Sequence, residues 1–109
     1  MIDDPTMVAK LMEQMQAALP LPAYPTRELV HTLRQHGAKL SADRVLFIRR
    51  VFYHGDGGGI TCDVTPPHGA RAAFVVSLTH LRLAPDHPLA RDVRAYQREH
   101  VKRLLESQP

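Results

Sequence analysis

The stretch from Arg44 to Thr79 constrains this chain most, because it reads as three β-strands in succession between helical patterns. Arg44–His54 holds Val45, Phe47, Ile48, Val51, Phe52 and Tyr53, the β-branched and aromatic types that fit a pleated, half-buried surface. Ile60–Thr65 alternates, with Ile60, Cys62 and Val64 on one face and Thr61, Asp63 and Thr65 on the other. Ala72–Thr79 is an apolar run containing Phe74, Val75, Val76 and Leu78. Such a run implies burial on both faces, or one face used by a partner. The joints are Gly55-Asp56-Gly57-Gly58-Gly59 and Pro66-Pro67-His68-Gly69-Ala70-Arg71, both of turn composition.

Helical patterns flank this meander. Asp4 is an N-cap candidate with Pro5 at the first helical position, and Val8, Leu11, Met12, Met15, Ala18 and Leu19 follow helical spacing over residues 4–19. Pro20 and Pro22 end that pattern. A second helix is predicted over 26–36, with Leu29, Val30 and Leu33 as its apolar face and Gly37 closing it. The last spans 86–106 and opens at Asp86-His87-Pro88. Its stripe of Leu89, Val93, Tyr96, Val101 and Leu104 requires a sheet to cover it. The expectation is a single α+β domain over 1–109: a three-stranded antiparallel meander in the order α-α-β-β-β-α, with the helices mainly on one face.

Strand register stays open at this level, because a slip of one residue at the glycine loop flips the whole first strand. In one register Arg50 shares the face of Cys62; in the other Arg49 does. Either way one arginine is expected to point toward the apolar side, where it needs a partner or the sheet edge.

The 109 residues carry a net charge of +3, which permits an anionic partner without demanding one. A single cysteine excludes an internal disulfide and fits a reducing compartment. No apolar run reaches the ~20 residues needed to span a bilayer, and the acidic Met1–Pro5 start lacks a signal-peptide pattern. No membrane association and a cytoplasmic location are expected.

Candidate chemistry is thin. The glycine loop is followed by a strand instead of a helix, and no Lys-Ser/Thr follows it, so it reads as a hairpin connection and not a phosphate loop. The seven histidines show no zinc-ligand spacing. Cys62, His54 and His80 are the one set that a sheet can gather, and no metal or other cofactor is expected. A nucleophilic site drawn from Cys62, Ser77, His80, His54, Asp63 and Asp56 lacks a local signature, so no catalytic residue is assigned; the plain reading of Cys62 is a small buried hydrophobe. His100 falls at the centre of the last helix's apolar face, where a neutral, hydrogen-bonded core histidine is the expectation. On the opposite face Arg91, Arg94, Arg98 and Lys102 share about one quadrant of the wheel. They form either a solvated face, diluted by Glu99–Arg103 and Lys102–Glu106 pairs, or a stripe for phosphates or carboxylates.

The order helix, three antiparallel strands, helix over 26–106 resembles the double-stranded RNA-binding domain in topology. That family places a lysine cluster at the start of its final helix to grip phosphates. Here the place holds Asp86-His87-Pro88-Leu89-Ala90-Arg91-Asp92, with no lysine. The resemblance therefore implies the fold, and a nucleic-acid role rests on the arginine stripe.

Three readings follow. The leading one is a small non-enzymatic interaction domain, binding a protein partner or a second copy of itself through the second sheet face and the methionines Met7, Met12 and Met15. The second is nucleic-acid binding through Arg91, Arg94, Arg98 and Lys102. The third is an enzyme using Cys62 or a histidine, which a sealed Cys62 would remove in its cysteine form.

Overall fold

The computed structural model describes residues 4–35, 41–55, 58–66 and 74–106. The expected helix closure at Gly37, the middle of the glycine loop (Asp56, Gly57), the second connection Pro67–Arg71, the start of the third strand at Ala72 and the chain end at Ser107–Pro109 lie outside these.

Among the described residues the chain is α+β, with three helices and one five-stranded antiparallel sheet: α1 (Pro5–Ala17), β1 (Leu21–Pro25), α2 (Arg27–Gln35), β2 (Leu46–Tyr53), β3 (Ile60–Thr65), β4 (Phe74–Ser77), a 3₁₀ turn (Leu78–His80), β5 (Leu81–Arg82) and α3 (Ala90–Glu106). The helix starts are capped as their sequences dictate. Asp4 Oδ1 accepts from the Thr6 N–H at 2.9 Å and the Met7 N–H at 3.3 Å. Thr26 Oγ1 accepts from the Leu29 N–H at 3.3 Å. Each satisfies donors that the first helical turn leaves free.

The sheet is larger than the expected meander. The strand order is β4-β3-β2-β1-β5, so β1 is an interior strand although it reads Leu21-Pro22-Ala23-Tyr24-Pro25. Proline removes a ladder donor, and the pairing shows how β1 tolerates two. The Thr26 N–H donates to His80 O at 3.0 Å. By alternation, the polar groups of Pro22 and Tyr24 also face β5, and those of Leu21, Ala23 and Pro25 face β2. β1 meets β2 only over Leu21–Ala23 and β5 only at Tyr24 and Pro25. Pro22 therefore faces β5's side beyond its pairing, and Pro25 faces β2's side before that strand begins. Neither position needs an N–H.

The sheet is curled. β4 and β5 end the strand order, yet only Leu78–His80 separate them in the chain. Four chain steps reach at most about 14 Å, whereas the outer strands of a flat five-stranded sheet stand ~19 Å apart. Ser77 starts this crossing: its Oγ accepts from the Thr79 N–H at 3.3 Å, which turns the chain out of the strand. The third expected strand, 72–79, is cut short for this reason. Gln97 of α3 fastens the crossing by donating to Leu78 O at 2.7 Å and Leu81 O at 2.6 Å.

Inside the curl, Leu21, Ala23, Leu46, Ile48, Val51, Ile60, Cys62, Val64 and Val76 join Val8, Leu11 and Met15 of α1, Leu29 of α2, and Ala90, Val93 and Tyr96 of α3 in one core cluster. α3 starts later than its sequence pattern. Asp86 does not cap it; His87 Nδ1 accepts from the Leu89 N–H at 3.0 Å, His87 O from the Ala90 N–H at 3.0 Å, and Leu89 O from the Val93 N–H at 2.9 Å. Residues 85–89 form a turn. Val101, expected on the apolar stripe, is exposed, because, one residue after the buried His100, it is turned about 100° away from the packed face of α3.

Candidate functional site

The face of the sheet turned away from the core is built by one irregularity in β2. Ile48 pairs with Val64 and the next pair is Arg50 with Asp63, so Arg49 has no opposite residue. This bulge inserts one residue and resets the alternation. Arg49 and Arg50 are both exposed, and Val51 returns to the core. The expectation that one of the two arginines faces the apolar side is thus corrected: a regular strand would force that choice, and the bulge removes it.

The outward residues then stand in rows. Phe47 lies opposite Thr65, Arg50 opposite Asp63 and Val75, and Phe52 opposite Thr61 and Ser77. The guanidinium of Arg49 sits 5.4 Å from the Phe47 ring centroid and Arg49 Nε donates to Thr65 Oγ1 at 3.0 Å. The guanidinium of Arg50 sits 5.5 Å from the Phe52 centroid and its Nε donates to Asp63 Oδ2 at 2.8 Å. Cation–aromatic contacts at exposed sites are worth ~0.5–1 kcal/mol each, enough to set side-chain direction. Asp63 is buried beneath Arg50, whose own side chain remains 71% exposed. Thr61 Oγ1, in the row with Phe52, is buried without a hydrogen-bond partner. Among the described residues Val75 is the most exposed large apolar one, at 68%, and β4, which carries it, pairs only with β3. Its other edge is unpaired among the described residues.

The glycine loop closes β2 and β3 as a hairpin. The His54 N–H donates to Gly59 O, and the Gly59 N–H to Gly55 O, both at 2.9 Å. Gly55 (φ +73°) and Gly59 (φ +63°) occupy the left-handed region that glycine takes without strain. Gly59 also lies against Tyr96 and His100. Tyr96 Oη accepts from the Ile60 N–H at 2.8 Å, and the buried His100 ring stacks on Tyr96 with centroids 5.5 Å apart. His100 is thus a packed core residue between α3 and the hairpin.

The candidate catalytic and metal residues are not brought together. Cys62 is fully buried on the inner face, and burial pushes its thiol up to about 12, with the Asp63 charge adding to the effect. A thiol so raised supplies no thiolate near neutral pH, which removes the cysteine form of the enzyme reading. Asp63 points to the opposite face, His54 is exposed beyond the end of β2, and His80 lies in the 3₁₀ turn. No three His, Cys, Asp or Glu side chains gather among the described residues. No helix among them is long and apolar enough to cross a membrane.

The remaining sequence candidates divide. Arg91, Arg94, Arg98 and Lys102 are all exposed on α3. The diluting Glu99–Arg103 pair forms at 2.8 Å, whereas Lys102 and Glu106 form no ion pair among the described residues. Met15 is sealed in the core with no exposed surface, and Met7 and Met12 are half-buried against it. Sequence reading missed Tyr24, Arg27 and Arg82 as surface-forming residues. The guanidinium of Arg82 lies 6.0 Å from the Tyr24 centroid and its Nη2 donates to Ala42 O at 2.8 Å. The alternation Leu81-Arg82-Leu83 was the signal available.

No protein-family model, no curated protein and no solved structure matches the chain.

Proposed function

We propose that this chain is a non-enzymatic interaction module whose contact surface is the outward face of the curled sheet, and that a second copy of the chain is the occupant it favours. The bulge in β2 carries the reading, since it sends two arginines outward beside Phe47 and Phe52 in place of the alternation a core strand keeps. Two features support a protein partner. Val75 is apolar and open to solvent at an edge strand, and such an edge offers ladder hydrogen bonds to another strand. The antiparallel edge of β4 also allows a two-fold contact in which the same residues meet on both copies. Size-exclusion with light scattering over rising concentration tests this. Twice the chain mass is expected for the wild type and the single mass for Val75→Lys; a wild type that stays single at high concentration refutes it.

A second reading, nucleic-acid binding through Arg91, Arg94, Arg98 and Lys102, is favoured by one observation. All four are exposed and none is held in an ion pair among the described residues. Salt-dependent binding of duplex RNA, abolished by Arg94→Glu with Arg98→Glu, is its expected behaviour; an unchanged NMR spectrum at low salt counts against it.

A further inference from the structure

Away from β4, three depressions join into one groove. The central one, of about 630 Å³, is lined by Tyr24, Arg27, Asp43, Arg82 and Leu83, with smaller residues between them. It shares Arg27 and Ala42 with a depression along α2. It shares Arg82, Leu83 and Pro85 with another that ends at Arg94 on α3. The groove therefore runs from α2, over the β1–β5 end of the sheet, to α3.

Its charge is one-sided. Arg27, Arg82 and Arg94 are exposed along it, and Arg27 and Arg94 engage no partner among the described residues. Arg82 contacts the Tyr24 ring and donates to the Ala42 carbonyl, and its remaining N–H donors have no partner among the described residues. Asp43 is the one carboxylate among the described lining residues. It accepts from the Ser41 hydroxyl at 2.6 Å, and this bond holds its pKa below the ordinary value. Between the cations the groove offers the half-buried Tyr24 and the exposed Pro85, whereas Leu83 is buried in the core.

We infer that this groove takes the sugar–phosphate backbone of a single-stranded nucleic acid. The inference extends the second reading of Arg94 to a different set of partners and a different ligand form, and it does not depend on Arg91, Arg98 or Lys102. Planar guanidinium forks match phosphate oxygens, and a cationic groove tracks a strand while its bases find surfaces to rest on. A duplex keeps its bases stacked in its interior, where they cannot rest on such surfaces. An acidic peptide offers charge without planar bases to lie on Tyr24 and Pro85.

Fluorescence anisotropy on the full chain tests this, with labelled oligouridylate of about 12 nucleotides, a duplex of the same length and polyglutamate as probes. The oligouridylate is expected to bind tightest, with a slope of log affinity on log salt of roughly −2 for three phosphate contacts. Arg27→Glu with Arg94→Glu is expected to weaken it at least about tenfold, and Lys10→Glu with Gln16→Glu, a similar change of charge on the exposed side of α1, less than about threefold. Circular dichroism confirms that both exposed pairs leave the fold intact. Equal loss from the two pairs, tighter binding of duplex or polyglutamate, or no binding at about 50 mM salt overturns the inference. Duplex binding lost through Arg98→Glu with Lys102→Glu and untouched by Arg27→Glu overturns the groove and leaves the second reading standing.

Discussion

Gly59 is where the hairpin, the sheet and α3 meet, and its replacement by alanine makes a demanding test of the packing. Two costs arise there, and Gly55 separates them. Both glycines lie at positive φ, where a side chain costs ~1–2 kcal/mol. Both substitutions also stiffen the unfolded chain equally, returning ~0.4–1 kcal/mol. A methyl at Gly55 meets nothing within 4 Å, so Gly55→Ala is expected to cost about 1 kcal/mol. A methyl at Gly59 would lie 2.7 Å from His100 Cε1 and 3.0 Å from Nε2, and closer still to the Tyr96 hydroxyl. Those rings cannot move freely. Both are buried, and Tyr96 Oη is held by the Ile60 N–H at 2.8 Å. Overpacking of this kind adds ~1–3 kcal/mol, giving about 2–4 kcal/mol in all for Gly59→Ala. At this chain length each kcal/mol lowers Tm by roughly 4 °C. The two variants should therefore melt about 4–12 °C apart, measured by far-UV circular dichroism and checked by urea titration. Tyr96→Phe sharpens the test. Alone it leaves the Ile60 N–H unsatisfied, at ~1–3 kcal/mol; combined with Gly59→Ala it also removes the obstructing hydroxyl, so the double variant should cost less than the sum. Equal melting of the two alanine variants, or strict additivity with Tyr96→Phe, would refute this account of the contact.

Two further outcomes bear on the core and the outward face. The folded Cys62 thiol is raised from 9.0 to about 12, so its contribution is fully present below pH 9.0 and is lost as pH rises toward 12. Between those limits urea unfolding of the wild type should lose about 1.4 kcal/mol of stability per pH unit more than that of Cys62→Ala, and parallel pH profiles would contradict the burial. On the sheet face, Arg50→Ala leaves the carboxylate of Asp63 beneath it unpaired and should cost ~1–2 kcal/mol, after discounting for the exposure of Arg50. Arg49→Ala loses only the Thr65 bond and the Phe47 contact and should cost under about 1 kcal/mol; the reverse ranking in urea melts would show that the ion pair does not matter.

The elements legible in the sequence are those whose partners lie close along the chain. Ile60–Thr65 keeps its bounds in the structure because its alternation is clean and both its neighbours, β2 and β4, follow or precede it directly. β1 was hidden because Pro22 and Pro25 mark joints by ordinary rules. They become tolerable only where β2 and β5 each pair with part of the strand, a long-range fact that no local window contains. β5 was hidden for a related reason: two residues, Leu81 and Arg82, carry too little pattern, and they form a strand only because the sheet curls until β1 is within reach. His100 was legible at the centre of its helix face. Its neighbour Gly59 as a packing surface was not, since glycine announces a turn and says nothing of what approaches it.

The bulge in β2 shows how the unreadable part bears on the surface. Continued alternation from Ile48 would place Arg50 against Cys62 and Val64, where an unpaired guanidinium costs several kcal/mol or more. A slip of the whole strand would exchange Leu46 and Ile48 for Phe47 and Arg49 in the core, at a similar cost. One inserted residue avoids both. It keeps Leu46, Ile48 and Val51 inside and leaves two adjacent guanidiniums on the same outward face. There they find Phe47, Thr65, Phe52 and Asp63. The need to keep charge out of the core thus also fixes where the outward face carries its arginines. A variant that deletes Arg49 joins Ile48 directly to Arg50, so regular alternation keeps Ile48 and Val51 inside and leaves Arg50 outward opposite Asp63. It should therefore unfold at close to the same urea as Arg49→Ala, and a large loss confined to the deletion would refute this account of the bulge.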